Sequence, residues 1–238
     1  MYVEKKTAES DAVGQMEHML RTLRQEITTI HNALRHSFFP RNGSESSKSG
    51  RRYERKCFDN VSHDACSLEG HSRKGNDIRC RYGDIEIKKA MTPDWGQEKI
   101  KFVHGRWTGT FPHLDQVRIP NLPPNLTRHK LMKLKQTNPL FRDQYIDVDD
   151  DSIQKYYREK GNAYIQVEGY GLYHLGEDSA GYGVPEFRVR QRMRVRVKTH
   201  SKTSFSVTCA FQPVNIRELV PSPYSLDDPE KIPNGLKG

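Results

Sequence analysis

The stretch Gly83-Asp84-Ile85-Glu86-Ile87-Lys88-Lys89 decides the reading of this chain. Alternation along a strand sends Asp84, Glu86 and Lys88 to one face and Ile85 and Ile87 to the other. A carboxylate and an ammonium then stand side by side on a surface whose back is anchored in a core. That arrangement suits metal-assisted phosphodiester hydrolysis. The carboxylate holds a hard cation, and the ammonium orients or helps activate the attacking water and offsets charge developing on the phosphate.

Just upstream, Asn76-Asp77-Ile78-Arg79-Cys80 reads as a second extended segment, and Arg81-Tyr82-Gly83 turns the chain between the two. A tight turn at Tyr82-Gly83 pairs Arg81 with Asp84, Arg79 with Glu86 and Asp77 with Lys88. Opposed residues share a face, so Asp77, Glu86 and Lys88 converge. A three-residue loop would shift this register and turn one set away. Farther upstream, Arg51-Arg52-Tyr53-Glu54-Arg55-Lys56-Cys57 starts a short helix that brings Glu54 within reach of the cluster.

In order and spacing, Glu54, then Asp77, then Glu86-Ile87-Lys88 resembles the PD-(D/E)xK nuclease superfamily, type II restriction endonucleases in particular. The resemblance covers the stretch from Arg51 to Met91. It implies an α/β fold with a restriction-endonuclease-like central mixed β-sheet flanked by helices. It also implies Asp77 and Glu86 as metal ligands, Lys88 as the catalytic lysine, Glu54 as an accessory helix acid, and Mg²⁺ as cofactor. The implied reaction is sequence-specific cleavage of double-stranded DNA leaving 5′-phosphate ends, by a homodimer matching a symmetric site. Asn76 departs from the pattern, which often has proline there, and Asp84 is an alternative to Asp77. A repair or junction-resolving nuclease of the same fold, or a non-catalytic nucleic-acid-binding protein, are the competing readings. An E-x-K alone has little specificity; the hairpin, the upstream acid and the basic setting together favour a site.

Composition fits an anionic partner. The chain carries 39 Lys and Arg against 30 Asp and Glu, a net charge of +9, and such a surface attracts phosphate backbones. Its 238 residues suit one sizeable domain with decorations, or two small ones. Hydrophobic residues make up only 34%, which points to flexible or partner-dependent segments. No run approaches the roughly twenty apolar residues of a membrane span, and the first residues lack a signal peptide's apolar stretch. The expectation is a soluble, cytoplasmic protein. Cys57, Cys66, Cys80 and Cys209 form no C-x-x-C pair, so free thiols are expected. Cys57, His63, Cys66, His71 and Cys80 fit no common zinc spacing.

A second informative stretch is Phe187-Arg188-Val189-Arg190-Gln191-Arg192-Met193-Arg194-Val195-Arg196-Val197-Lys198. One face of such a strand presents Arg188, Arg190, Arg192, Arg194, Arg196 and Lys198, spaced about 6.5–7 Å apart. Phe205, Val207, Cys209 and Phe211 repeat the apolar alternation after a polar turn, so the pair reads as a basic β-hairpin. Six cations with no acid between them call for an anion against them, DNA backbone first, with some arginines free to read guanine edges.

The remaining chain divides into blocks. Residues 1–41 hold an amphipathic helix, apolar at Val13, Met16, Leu20, Leu23, Ile27, Ile30 and Leu34, which serves a dimer or packs on its own domain. Residues 42–50 read as a flexible linker, 51–220 as the nuclease and DNA-binding domain, and 221–238 as a loosely ordered tail. Within the domain, Thr127 opens a basic helix, and Asp150 or Asp151 caps a helix from Ser152 that Gly161 ends. The run from Tyr164 to Leu175 reads as a core strand, and residues 176–185 as a mobile loop over DNA.

Overall fold

The computed structural model describes residues 19, 22–23, 43–68, 77–92, 94–123, 125–200 and 205–237. Two compact units divide the chain, Met1–Ser47 and Lys48–Gly238. In the first, the described residues Met19, Thr22 and Leu23 are helical; the rest of the amphipathic stripe lies outside the described residues.

The second unit is mixed α/β, with two five-stranded sheets and few helices. Helix α1 (Gly43–Asp59) precedes strands β1 (Cys66–Leu68), β2 (Ile78–Cys80) and β3 (Asp84–Lys88). A long excursion follows: β4 (Trp95–Val103), β5 (Arg106–Thr108), α2 (Arg128–Thr137) and β6 (Gln144–Asp147). Helix α3 (Ser152–Glu159) then leads into β7 (Asn162–Val167) and β8 (Gly171–His174), and the chain closes with β9 (Gln191–Thr199) and β10 (Phe205–Pro213). The first sheet has the order β1-β2-β3-β7-β8, and the second β5-β4-β10-β9-β6. Among the named strands of the described residues only the β3–β7 pair is parallel and the other ladders are antiparallel; an isolated parallel bridge joins His174 and Glu186. A parallel neighbour cannot be reached by a hairpin, and β4 to β6 of the second sheet lie between β3 and β7, with β9 and β10 following later.

Alternation sets the layers. Ile85 and Ile87 join Tyr53, Cys57, Tyr164, Leu172 and Leu226 in a core on one side of the first sheet. On its other side, Ile165 and Val167 meet Trp95, Met193, Val195, Val207, Cys209 and Phe211 in a core between the sheets. The bulge that shifts the β4–β10 register lies at Gly96, whose φ is 62°; a Cβ there would stand 2.2 Å from the Tyr156 ring. Only glycine fits that close approach.

Several expectations change. Residues 43–50, read as linker, are helical: α1 starts at Gly43. Burial of Tyr53 and Cys57 nucleates the helix, and extension to its polar start then costs little. The 221–237 segment is no loose tail. Leu226, Ile232 and Leu236 are buried, and backbone bonds run from Leu172 N to Tyr224 O and from Ser62 N to Leu236 O. The run from Tyr164 to Leu175 is two antiparallel strands joined at residues 168–170, not one. The 176–185 segment, expected to be mobile, is tied by Asp178, which accepts from the Tyr164 hydroxyl at 2.8 Å and Gly183 N at 2.7 Å. Two cysteines are not free: Cys66 and Cys80 are opposed across β1 and β2, Cα atoms 4.2 Å apart, and form a disulfide. Cys57 and Cys209 are buried thiols. The helix at Ser152 is present, but Asp151 makes no side-chain cap; Gln191 Oε1 accepts from Ile153 N at 2.7 Å instead. No helix of the described residues is long and apolar enough to cross a membrane.

Candidate active site and basic sheet face

Asp77, Glu86 and Lys88 do come together, through a register other than the expected one. Gly83 N bonds to Cys80 O at 3.2 Å, closing a four-residue turn, and Ile78 then opposes Ile85. Relative to the anticipated pairing, the ladder has slipped by two residues. A slip of one would reverse every side chain, but a slip of two preserves the face. Continuing the ladder places Asp77 opposite Glu86 rather than Lys88. Gly83 has φ 144°, and a Cβ there would stand 2.8 Å from the Tyr164 ring.

Each group is fixed by backbone or by its neighbour. Asp77 Oδ2 accepts from Ile87 N at 2.8 Å. Lys88 Nζ donates to Glu86 Oε1, and the two side chains are only 18% and 11% exposed. Burial, then the charge of Glu86, pushes the Asp77 carboxyl up to about 7, against the opposing pull of Lys88 and the Ile87 N–H; Glu54 adds a smaller upward push. For Lys88 burial works against the charge, yet Glu86, Tyr157 and Asp77 together carry its pKa well above the ordinary lysine value. Lys88 is therefore held as an ammonium that donates to Glu86. Glu54, half-buried on α1, is within electrostatic reach of Asp77. Asp84, the alternative ligand, is engaged elsewhere: its Oδ1 accepts from Cys80 N at 3.2 Å and its Oδ2 lies 3.7 Å from Arg79.

Whether these residues suit a divalent cation follows from their charges. Two carboxylates share this face, Lys88 is bonded to Glu86, and burial together with the charge of Glu86 raises the Asp77 pKa. Mg²⁺ keeps several waters and needs only one or two protein carboxylates, so Asp77 and Glu86 fit it. Among the described residues no group of three or more His, Cys, Asp or Glu side chains forms a fuller ligand set.

Sequence reasoning missed what α3 contributes. In the parallel β3–β7 register Glu86 and Lys88 pair with Ile165 and Val167, so they face the layer between the sheets, where α3 lies. Lys88 Nζ stands 5.3 Å from the centre of the buried Tyr157 ring. Lys160 Nζ donates to the Tyr156 hydroxyl and sits 4.0 Å from that ring's centre. Burial pushes the Tyr156 phenol up, helped by Glu98 and Glu86, and burial lowers Lys160. Nothing local in Tyr156-Tyr157 distinguishes these rings from core aromatics; only the β3–β7 crossover brings them to the carboxylates.

The basic sheet face carries a correction. The β9–β10 hairpin forms, with Val197 opposite Val207 and Val195 opposite Cys209, but β9 begins at Gln191, so Arg188 and Arg190 precede the strand; residues 201–204 lie outside the described residues. Along β9 the cations have no acid between them, but across the sheet they do. Arg194 reaches Asp143 at 3.0 Å and Asp94 at 3.2 Å, and Arg196 reaches Asp94 at 2.6 Å. Small Ala210, opposite Arg194, lets the guanidinium pass over β10 toward Asp94. Arg192 lies 4.2 Å over the Tyr145 ring, Lys198 bonds to Gln97 Oε1 at 3.2 Å, and exposed Arg188 pairs with Glu186. Arg190 is exposed. The face is basic, but Arg194 and Arg196 are committed to holding the sheet.

No family model, no curated protein and no solved structure matches this chain.

Proposed function

We propose that this chain is a metal-dependent endonuclease acting on double-stranded DNA, of the type II restriction class, built on a restriction-endonuclease-like sheet. The convergence of Asp77, Glu86 and Lys88 on one face of β2 and β3 carries this reading. The sheet order supports it: a mixed sheet with Asp77 leading one strand, Glu86 and Lys88 on the next, and α1 supplying Glu54 is what the resemblance implies. The two carboxylates on this face support Mg²⁺ as cofactor, and the net charge of +9 supports a polyanionic partner.

In this reading Asp77 and Glu86 would hold Mg²⁺, which when bound would supply a more acidic water and offset charge on the phosphate. Ile87 N–H fixes the Asp77 carboxylate, and Lys88 fixes Glu86. The Lys88 ammonium stabilises charge growing on the non-bridging phosphate oxygens, because its strongly held proton stays in place. Arg188, Arg190, Arg192 and Lys198 contact the DNA backbone, and a homodimer matches a symmetric cleavage site.

The test is cleavage of unmethylated phage and plasmid DNA with Mg²⁺ or EDTA, comparing wild type with Glu86→Gln and Lys88→Met. The expected result is discrete, Mg²⁺-dependent fragments with 5′-phosphate ends, reduced by about 100-fold or more in both variants. Preference for a four-way junction over linear duplex would instead identify a junction-resolving enzyme. DNA left intact by folded protein that still binds duplex would overturn catalysis and leave the basic sheet face as the functional surface.

A further inference from the structure

Tyr157 is 2% exposed, and its hydroxyl has no hydrogen-bond partner among the described residues. A buried hydroxyl without a partner carries its full desolvation cost, so such a group calls for an occupant. Its surroundings specify which. Lys88 lies 5.3 Å from the ring centre, and the charges of Lys88, Glu86 and Asp77 all act on the phenol. An apolar occupant would strand those groups. A water needs two to four polar partners; the hydroxyl is one, and the Lys88–Glu86 pair beside its ring is the nearest source of others.

We propose that the Tyr157 hydroxyl holds one buried water against Asp77 and Glu86, and that this water is the nucleophile of the hydrolysis. The inference rests on the hydrolytic reading of the site. The water gives one O–H to the Tyr157 oxygen and the other to a site carboxylate, so one lone pair remains for the cation and one for phosphorus. In the reaction the water oxygen bonds to phosphorus as the P–O3′ bond breaks. The water's proton passes to solvent, and the departing 3′ oxygen takes one from solvent. Tyr157 thereby contributes orientation, and Lys88, bonded to Glu86, keeps one acceptor in place.

The experiment is Tyr157→Phe, which keeps the ring and removes only the hydroxyl. The expected result is a kcat for DNA cleavage lower by about 10- to 100-fold, with duplex Kd unchanged and the thermal midpoint equal or higher. A purely structural role would lower the midpoint together with the rate. A second readout is crystallographic and needs no turnover: wild type shows a water within hydrogen-bonding distance of Tyr157 Oη and a site carboxylate, and the variant lacks it. Wild-type rates in Tyr157→Phe, or a dry hydroxyl in wild-type crystals, would overturn the proposal while leaving the nuclease reading intact. If wild type cleaves no nucleic acid, the nucleophile assignment falls with the hydrolytic reading, and the crystallographic water shows whether Tyr157 is still its holder.

Discussion

Lys88 donates to the carboxylate of Glu86, two residues earlier on the same strand face, and both side chains are largely buried. Removing one member leaves the other charged in a poorly solvated place. Lys88→Ala or Glu86→Ala would therefore cost about 3–5 kcal/mol of stability. Such a loss confounds any activity assay. The double substitution Glu86→Gln with Lys88→Met removes both charges and recovers most of that stability. Urea unfolding of the two single variants and the double variant checks this; additive losses would show that the pair is not coupled.

The crowding of Asp77 and Glu86 has a pH signature in metal-free protein. Asp77 is pushed from an ordinary carboxylate value of 3.8 up to about 7. Between those values the folded chain keeps a proton that the unfolded chain releases. Stability from this group is thus present at low pH and declines as pH rises through 7. Asp77→Asn removes the penalty and gains about 1–3 kcal/mol at pH 8 over wild type, with no gain at pH 4. Urea midpoints in EDTA from pH 4 to 8 provide the check. Mg²⁺ added at pH 8 stabilises wild type and not the variant; a pH-independent difference between the two proteins would contradict the assignment.

How much of this was legible in the sequence depends on the range of the contacts. The faces of β2, β3, β9 and β10 follow from period-two alternation, so Ile85, Val195 and Cys209 pointed correctly to the core. The convergence of Asp77 with Glu86 survived a misplaced turn because moving a two-residue loop by one position slips the ladder by two. What failed was non-local. Asp94 and Asp143 lie on segments 100 and 51 residues from Arg194, so a strand read alone shows only cations. Leu226, Ile232 and Leu236 sit among Pro, Gly and Asp, and their anchoring to Gln166 and Ser62 depends on the first sheet being formed. Tyr157 reads as one more core aromatic until the β3–β7 pairing is known.

The arginines of β9 and of the segment leading into it separate into two groups with different readouts. Arg194 is 17% exposed and bonded to Asp94 and Asp143, themselves 11% and 25% exposed. Arg194→Ala costs about 2–4 kcal/mol because Asp94 is left with Arg196 alone and Asp143 with the more distant Lys135. Arg190→Ala, at an exposed position, changes stability by less than about 0.5 kcal/mol. For duplex DNA the order reverses: Arg190→Ala weakens affinity and lowers the salt slope by about one, as loss of one phosphate contact requires. Thermal melts and salt-dependent binding isotherms test the division. Equal effects of the two variants on stability would refute it.

The Cys66–Cys80 disulfide ties β1 to β2, the strand that Asp77 leads, and bridges 14 residues of sequence. Closing a loop of that length restricts the unfolded chain by about 3 kcal/mol. Cys57 and Cys209 have no such role; burial raises both thiols, Cys209 to about 12, so neither is a reactive thiolate near neutral pH. Alkylation of unreduced, denatured protein therefore labels two cysteines of the four, and prior reduction raises the number to four. Cys66→Ser with Cys80→Ser lowers stability by about 3 kcal/mol and raises the Mg²⁺ concentration needed for half-maximal cleavage, because the strand leading from Asp77 loses its covalent tie. Four labelled cysteines before reduction would remove the tie from the account and leave Asp77 held by Ile87 N–H and the β2–β3 ladder.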